Sequence, residues 1–137
     1  MKNCFYDVCL LVSNNVKDFE VFGKALKDVS PETIYCVATN GQEALNMITD
    51  GNLIPDVVFV ELDMPNIDGI EFLKRLKALS FYQSIPVIVH TSANNQRHRE
   101  IIEAGALAIY PRAYSYTGIH NVLSLYCHPE LAILQLN

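Results

Sequence analysis

Pro55-Asp56-Val57-Val58-Phe59-Val60-Glu61-Leu62-Asp63-Met64-Pro65-Asn66-Ile67-Asp68-Gly69 lies near the middle of the chain and decides its reading. Four apolar residues in a row, Val57 to Val60, are β-branched or aromatic, and polar turn residues bound them. Such a run marks a strand covered on both faces, as strands of a parallel sheet are. The Pro, Asn, Asp and Gly that follow mark a loop leading into a helix.

The same pattern recurs in both directions. Residues 8–12, 33–38, 85–90 and 106–110 are further apolar runs. Helical patterns stand between them. Phe19, Phe22, Leu26 and Val29 form one stripe, with Lys17, Asp18, Glu20, Lys24 and Lys27 off it. Asn40 with Glu43 reads as a capping box, and Asp50-Gly51-Asn52 as the end of that helix. Phe72, Leu76 and Leu79 mark a third helix, with Lys74, Arg75 and Lys77 as a solvated face. Residues 96–104 read as a polar-faced fourth, and Ile119, Val122, Leu123 and Tyr126 mark a fifth. Five βα units in succession predict an α/β domain with a parallel sheet, helices on both faces and right-handed crossovers. Residues 1–127 form the domain, and 128–137 are a C-terminal tail with Leu131, Ile133, Leu134 and Leu136.

The chain has 137 residues, half of them hydrophobic and 18% charged, which suits one domain with a buried core. Fifteen acids against ten Lys+Arg give a net charge of −5, against a role in binding nucleic acid. No apolar stretch approaches the length of a membrane span, and the start does not read as a signal peptide. Cys4, Cys9, Cys36 and Cys127 form no CxxC pair, and Cys9 and Cys36 read as buried free thiols. A cytoplasmic location is expected. His90, His98, His120 and His128 are scattered and read as surface or packing residues.

In an open parallel sheet, ligands bind beyond the carboxyl ends of the strands. The residues there are Ser13 to Asn15, Glu61 to Asp63, Thr91 with Ser92, and Pro111 with Arg112. At these points the chain resembles the response-regulator receiver domains of two-component signalling, particularly stand-alone ones. The central stretch is similar to the family's third strand and Met-Pro-x-x-Asp-Gly loop. Residues 85–92 and Glu103-Ala104-Gly105-Ala106 match its later landmarks. The resemblance covers about residues 7–126 and implies a flavodoxin-like (βα)5 fold with a five-stranded sheet of order 2-1-3-4-5.

It also implies that an aspartate accepts a phosphoryl group from a histidine kinase, with Mg²⁺ held by an acidic pair. Here Glu61 stands at the acceptor position, and Ser13 and Asn14 stand at the acidic pair. Asp63 stands where a backbone carbonyl would reach the metal. Thr91 fills the hydroxyl position, Arg112 stands for the lysine, and Ile109 stands for the aromatic switch, with Tyr110 on the other face. Two lost anions remove most of the attraction for a divalent cation, so no cofactor is expected unless Glu61, Asp63 and Asn14 still hold Mg²⁺. The departures point to a pseudo-receiver in which Glu61 imitates a phosphorylated aspartate, with Arg112 and Thr91 as its partners.

The expected role is signalling by protein–protein contact, not enzymatic, with a histidine kinase or phosphotransfer protein among the candidate partners. A homodimer through the apolar tail is expected. One alternative is a receiver still phosphorylated at Glu61 or Asp63. A second is a small phosphatase-like enzyme using the same two residues. A flavin binder is disfavoured, because the loop from Ser13 to Lys17 has no glycine to cradle a phosphate.

Overall fold

The computed structural model describes residues 7–91, 96–111 and 115–127. The tail, Arg112 and Ser92 lie outside the described residues. The apolar runs become the strands β1 (Val8–Val12), β2 (Ile34–Ala38), β3 (Val57–Glu61), β4 (Val87–Thr91) and β5 (Ala108–Pro111). The helices α1 (Val16–Val29), α2 (Gly41–Thr49), α3 (Gly69–Ala78), α4 (His98–Glu103) and α5 (Tyr116–Cys127) alternate with them. A single 3-10 turn at Ser80–Tyr82 precedes β4.

All five strands are parallel, in the order β2-β1-β3-β4-β5, so β3 is central. The alternation of side chains along each strand makes two cores. Leu10, Val12, Val58, Val60, Val87 and Val89 face α2, α3 and α4. Cys9, Leu11, Val57, Phe59 and Ile88 face α1 and α5. The second core is aromatic. Tyr35 stacks on Phe22, Phe22 meets Phe59 edge-on at 5.1 Å, and Phe59 in turn meets His90 and Tyr126. Tyr126 donates its hydroxyl to that of Tyr110 at 3.1 Å, closing the row on β5. Each buried ring of this row is worth roughly 1.5–3 kcal/mol in surface removed from water.

Local chemistry fixes the ends. Asn15, Asn40 and Asp68 cap α1, α2 and α3 by accepting from the amides of Lys17, Glu43 and Glu71. Each cap is worth about 1 kcal/mol. The box at α2 is only half formed, since Glu43 accepts from Thr39 rather than reaching back to Asn40. Asp56 clamps the start of β1, its carboxylate accepting from the amides of Asp7 at 3.1 Å and Val8 at 2.8 Å.

Two expectations change. α4 runs only from His98 to Glu103, shorter than the stretch 96–104, with Ile101 as its one buried side chain. Cys36 is half-buried rather than buried, because β2 is an edge strand, and Cys9 is buried. No helix among the described residues is long and apolar enough to cross a membrane.

Candidate functional site

The parallel sheet brings the carboxyl ends of β1, β3 and β4 side by side. β1 stays apolar through Val12 and hands over to Ser13, whose amide still pairs with the carbonyl of Ala38 at 3.1 Å. β3 ends on Glu61. The next residue, Leu62, donates to the carbonyl of His90 at 2.8 Å and accepts from the amide of Gly69, also at 2.8 Å. The start of α3 is therefore seated on the end of β3. The seat is so close that a Cβ on Gly69 would stand 2.8 Å from Leu62 Cα and 2.9 Å from the Glu61 carbonyl oxygen.

Glu61 is 6% exposed. A buried carboxylate needs hydrogen-bond donors to remain charged. Ser13 supplies one, its Oγ lying 3.0 Å from Glu61 Oε2. The same hydroxyl accepts from the amide of Asn15 at 3.2 Å and lies 3.3 Å from Asp18 Oδ2. One serine thus stands between two carboxylates. Below them is a cavity of about 30 Å³ lined by Ser13, Asp18, Glu61 and His90, with Phe22 and Ile119 as apolar walls. That volume has room for a water molecule beside these polar groups.

Sequence reasoning did not single out Asp18 and His90 as parts of this site. Asp18 is off the apolar stripe of α1, but the first turn of that helix overhangs the end of β1. His90 pairs with Glu61 in the parallel register of β3 and β4, and its ring rests edge-on against Phe59 at 5.6 Å. Alternation along β4 was the available signal: residues 88 and 90 share a face.

The other expected residues are placed as follows. Asn14 and Asp63 are exposed. Thr91 is buried, and its hydroxyl makes no hydrogen bond among the described residues. The hydroxyl beside Glu61 is therefore that of Ser13, not Thr91: Thr91 alternates toward the opposite face of β4. Ile109 is half-buried against the core under α2, α3 and α4, while Tyr110 joins the aromatic core on the other face.

The family's divalent cation needs a cluster of oxygen ligands, mostly carboxylates. Position 13 offers a hydroxyl already engaged with Glu61, position 14 an exposed amide, and Asp63 is exposed. No three His, Cys, Asp or Glu side chains among the described residues come together as a ligand set. The carboxylates that do meet here, Glu61 and Asp18, both lie within hydrogen-bond reach of the Ser13 hydroxyl.

Residues 9–119 match the model of the response regulator receiver domain. The chain is 28% identical over 109 residues to the sensor histidine kinase CheAY of Helicobacter pylori, covering 79% of this chain and 13% of that protein. It is 32% identical over 90 residues to sporulation initiation phosphotransferase F of Bacillus subtilis, covering 65% of this chain and 69% of that one. The chain spans 30% of the length of a protein-glutamate methylesterase/protein-glutamine glutaminase of Treponema pallidum. Among solved structures, the chemotaxis response regulator CheY4 of Vibrio cholerae superposes with a TM-score of 0.73 at 21% identity, covering 85% of this chain and 94% of that one. The Mn²⁺-bound response regulator Rcp1 gives a TM-score of 0.80 at 19% identity, over 89% and 95% of the two chains. The strand order, the loop from Asp63 to Gly69 and the match over residues 9–119 agree, and the chain belongs to the response-regulator receiver domain family.

Proposed function

We propose that this receiver works as a pseudo-receiver of two-component signalling. It acts by contact with protein partners in the cytoplasm, without the usual aspartyl phosphorylation. Glu61 serves as a fixed anion at the end of β3, in place of a phosphorylated aspartate. The observation that carries the reading is the buried Glu61 carboxylate already bonded to Ser13, where the family expects an acidic pair and a metal. Glutamate is one methylene longer than aspartate, so it projects negative charge further from the strand. The neutral residues at positions 13 and 14 leave little to attract Mg²⁺. A histidine kinase or phosphotransfer protein remains the chemically natural partner, bound through a surface rather than through phosphotransfer. A homodimer through residues 128–137 is part of the same reading.

Two measurements test it. Calorimetric titration with Mg²⁺ and beryllofluoride is expected to give no saturable binding, and tight binding of both would overturn the reading. Intact-mass spectrometry after incubation with acetyl phosphate is expected to give no phosphoryl adduct. An adduct mapped to Glu61 or Asp63 would restore a conventional receiver.

A further inference from the structure

We propose that Arg97 is a strap joining the end of β3 to α4, so that the position of the Glu61–Leu62 backbone is passed to α4 through Asp68. The inference deepens the pseudo-receiver reading by naming how its pocket reaches the surface, and the role it gives Glu61 rests on that reading.

The links are contiguous. Gly69 is seated directly on the backbone of Glu61 and Leu62, with no room for a Cβ. Asp68, the residue before it, uses its two oxygens differently. Oδ1 caps α3 by accepting from the amide of Glu71 at 2.9 Å, and Oδ2 accepts from Arg97 Nη1 at 3.2 Å. Arg97 is the N-cap residue of α4, and its other nitrogens hold both oxygens of Glu100 in that helix's first turn, each at 3.0 Å. One planar guanidinium thus spans the cap of α3 and the start of α4, which a lysine ammonium cannot do with the same geometry.

α4 needs such a tie. It has six residues, a single buried side chain and no side-chain cap of its own. Among the described residues, Ile101 is the side chain that buries this helix against the sheet. An isolated ion pair this exposed contributes little to global stability. Its role is positional: a displacement of the Glu61–Leu62 backbone moves Gly69 and Asp68 as a unit, and Arg97 carries that shift to α4. Such coupling is reciprocal, so loosening Arg97 must be felt back at Leu62 and Gly69.

Amide hydrogen exchange and ¹⁵N chemical shifts of the full chain test this in Arg97→Gln, Arg97→Lys, Asp68→Asn and Glu61→Gln. Asparagine caps helices as well as aspartate does, so Asp68→Asn removes the ion pair and leaves α3 intact. Arg97→Gln and Asp68→Asn are both expected to speed exchange at Ile101 and Ala104 roughly two- to five-fold. Both are also expected to shift the amides of Leu62 and Gly69. Arg97→Lys is expected to resemble Arg97→Gln. Effects of Arg97→Gln confined to α4, or full rescue by lysine, would overturn the strap. Shifts caused by Glu61→Gln are expected to reach Ile101 in the wild-type background and to stop at Gly69 when Arg97 is Gln. Their reaching α4 equally in both backgrounds would also overturn it. A Glu61→Gln variant with no effect at Gly69 would instead overturn the state-setting role of Glu61, leaving the strap to be judged by the Arg97→Gln and Asp68→Asn results.

Discussion

Gly69→Ala puts one methyl group between α3 and the end of β3. The added Cβ would meet Leu62 Cα at 2.8 Å and the Glu61 carbonyl oxygen at 2.9 Å. Both are backbone atoms at the end of the central strand and just beyond it, so the obstacle cannot rotate away, and α3 must lift. Overpacking of this kind costs roughly 1–3 kcal/mol. Lifting also stretches the 2.8 Å bond from the Gly69 amide to the Leu62 carbonyl, worth about 1 kcal/mol net. Alanine's better helix propensity offsets up to about 1 kcal/mol. The balance is a loss of about 2 kcal/mol. At a urea dependence of about 2 kcal/mol per molar, the midpoint should fall by about 1 M. Far-UV circular dichroism in urea reads this directly. Gly41→Ala is the comparison: its Cβ would meet Ile67 Cγ2 at 3.0 Å and Cβ at 3.3 Å, side-chain atoms that need give by only a few tenths of an ångström, so it should cost less than Gly69→Ala. Equal stabilities for the two variants, or a stabilised Gly69→Ala, would refute the seating of α3 on β3.

Ser13→Ala removes a donor from the buried Glu61 carboxylate and an acceptor from the Asn15 amide; the expected loss is about 1–3 kcal/mol by urea melt, and an unchanged midpoint would show the hydroxyl to be dispensable. Phe59→Ala opens the centre of the aromatic row and should lower stability by about 3–5 kcal/mol, with loss of near-ultraviolet tyrosine signal. Glu100 is held below the usual carboxylate range by its hydrogen bonds from Arg97. A depressed carboxyl contributes stability above its unfolded pKa and loses it as pH falls through the folded value. Exchange at Ala104, corrected for intrinsic rate, should therefore rise in acid below about pH 4; a flat profile would contradict the pairing.

The strands were legible because a central parallel strand is apolar on both faces, and Val57 to Val60 advertise this without reference to any other residue. The length of α4 was not. Its periodicity rests on Ile101 alone, and one buried position cannot define where a helix begins and ends. Glu61 and Ser13 were legible as positions after strands, but their hydrogen bond was not, since residues 48 apart in sequence meet only through the register of β1 and β3. His90 stayed hidden for the same reason. Asp18 was misjudged by the rule that polar residues off a helix stripe face solvent. That rule fails in a first turn that overhangs the ends of the strands.

The hydroxyl of Ser13 carries a single hydrogen, and two carboxylates flank it. At any instant it serves Glu61 or Asp18, and it exchanges one for the other by turning about one bond. Such a turn needs no bond to be made or broken other than a hydrogen bond. A phosphorylated receiver stores its history in a covalent bond that outlasts the stimulus. On the pseudo-receiver reading, a hydrogen bond that can exchange partners takes the place of that covalent bond. Whatever memory the signalling system has must then reside elsewhere: in how many copies of this chain are present, or in how long a partner stays bound to it.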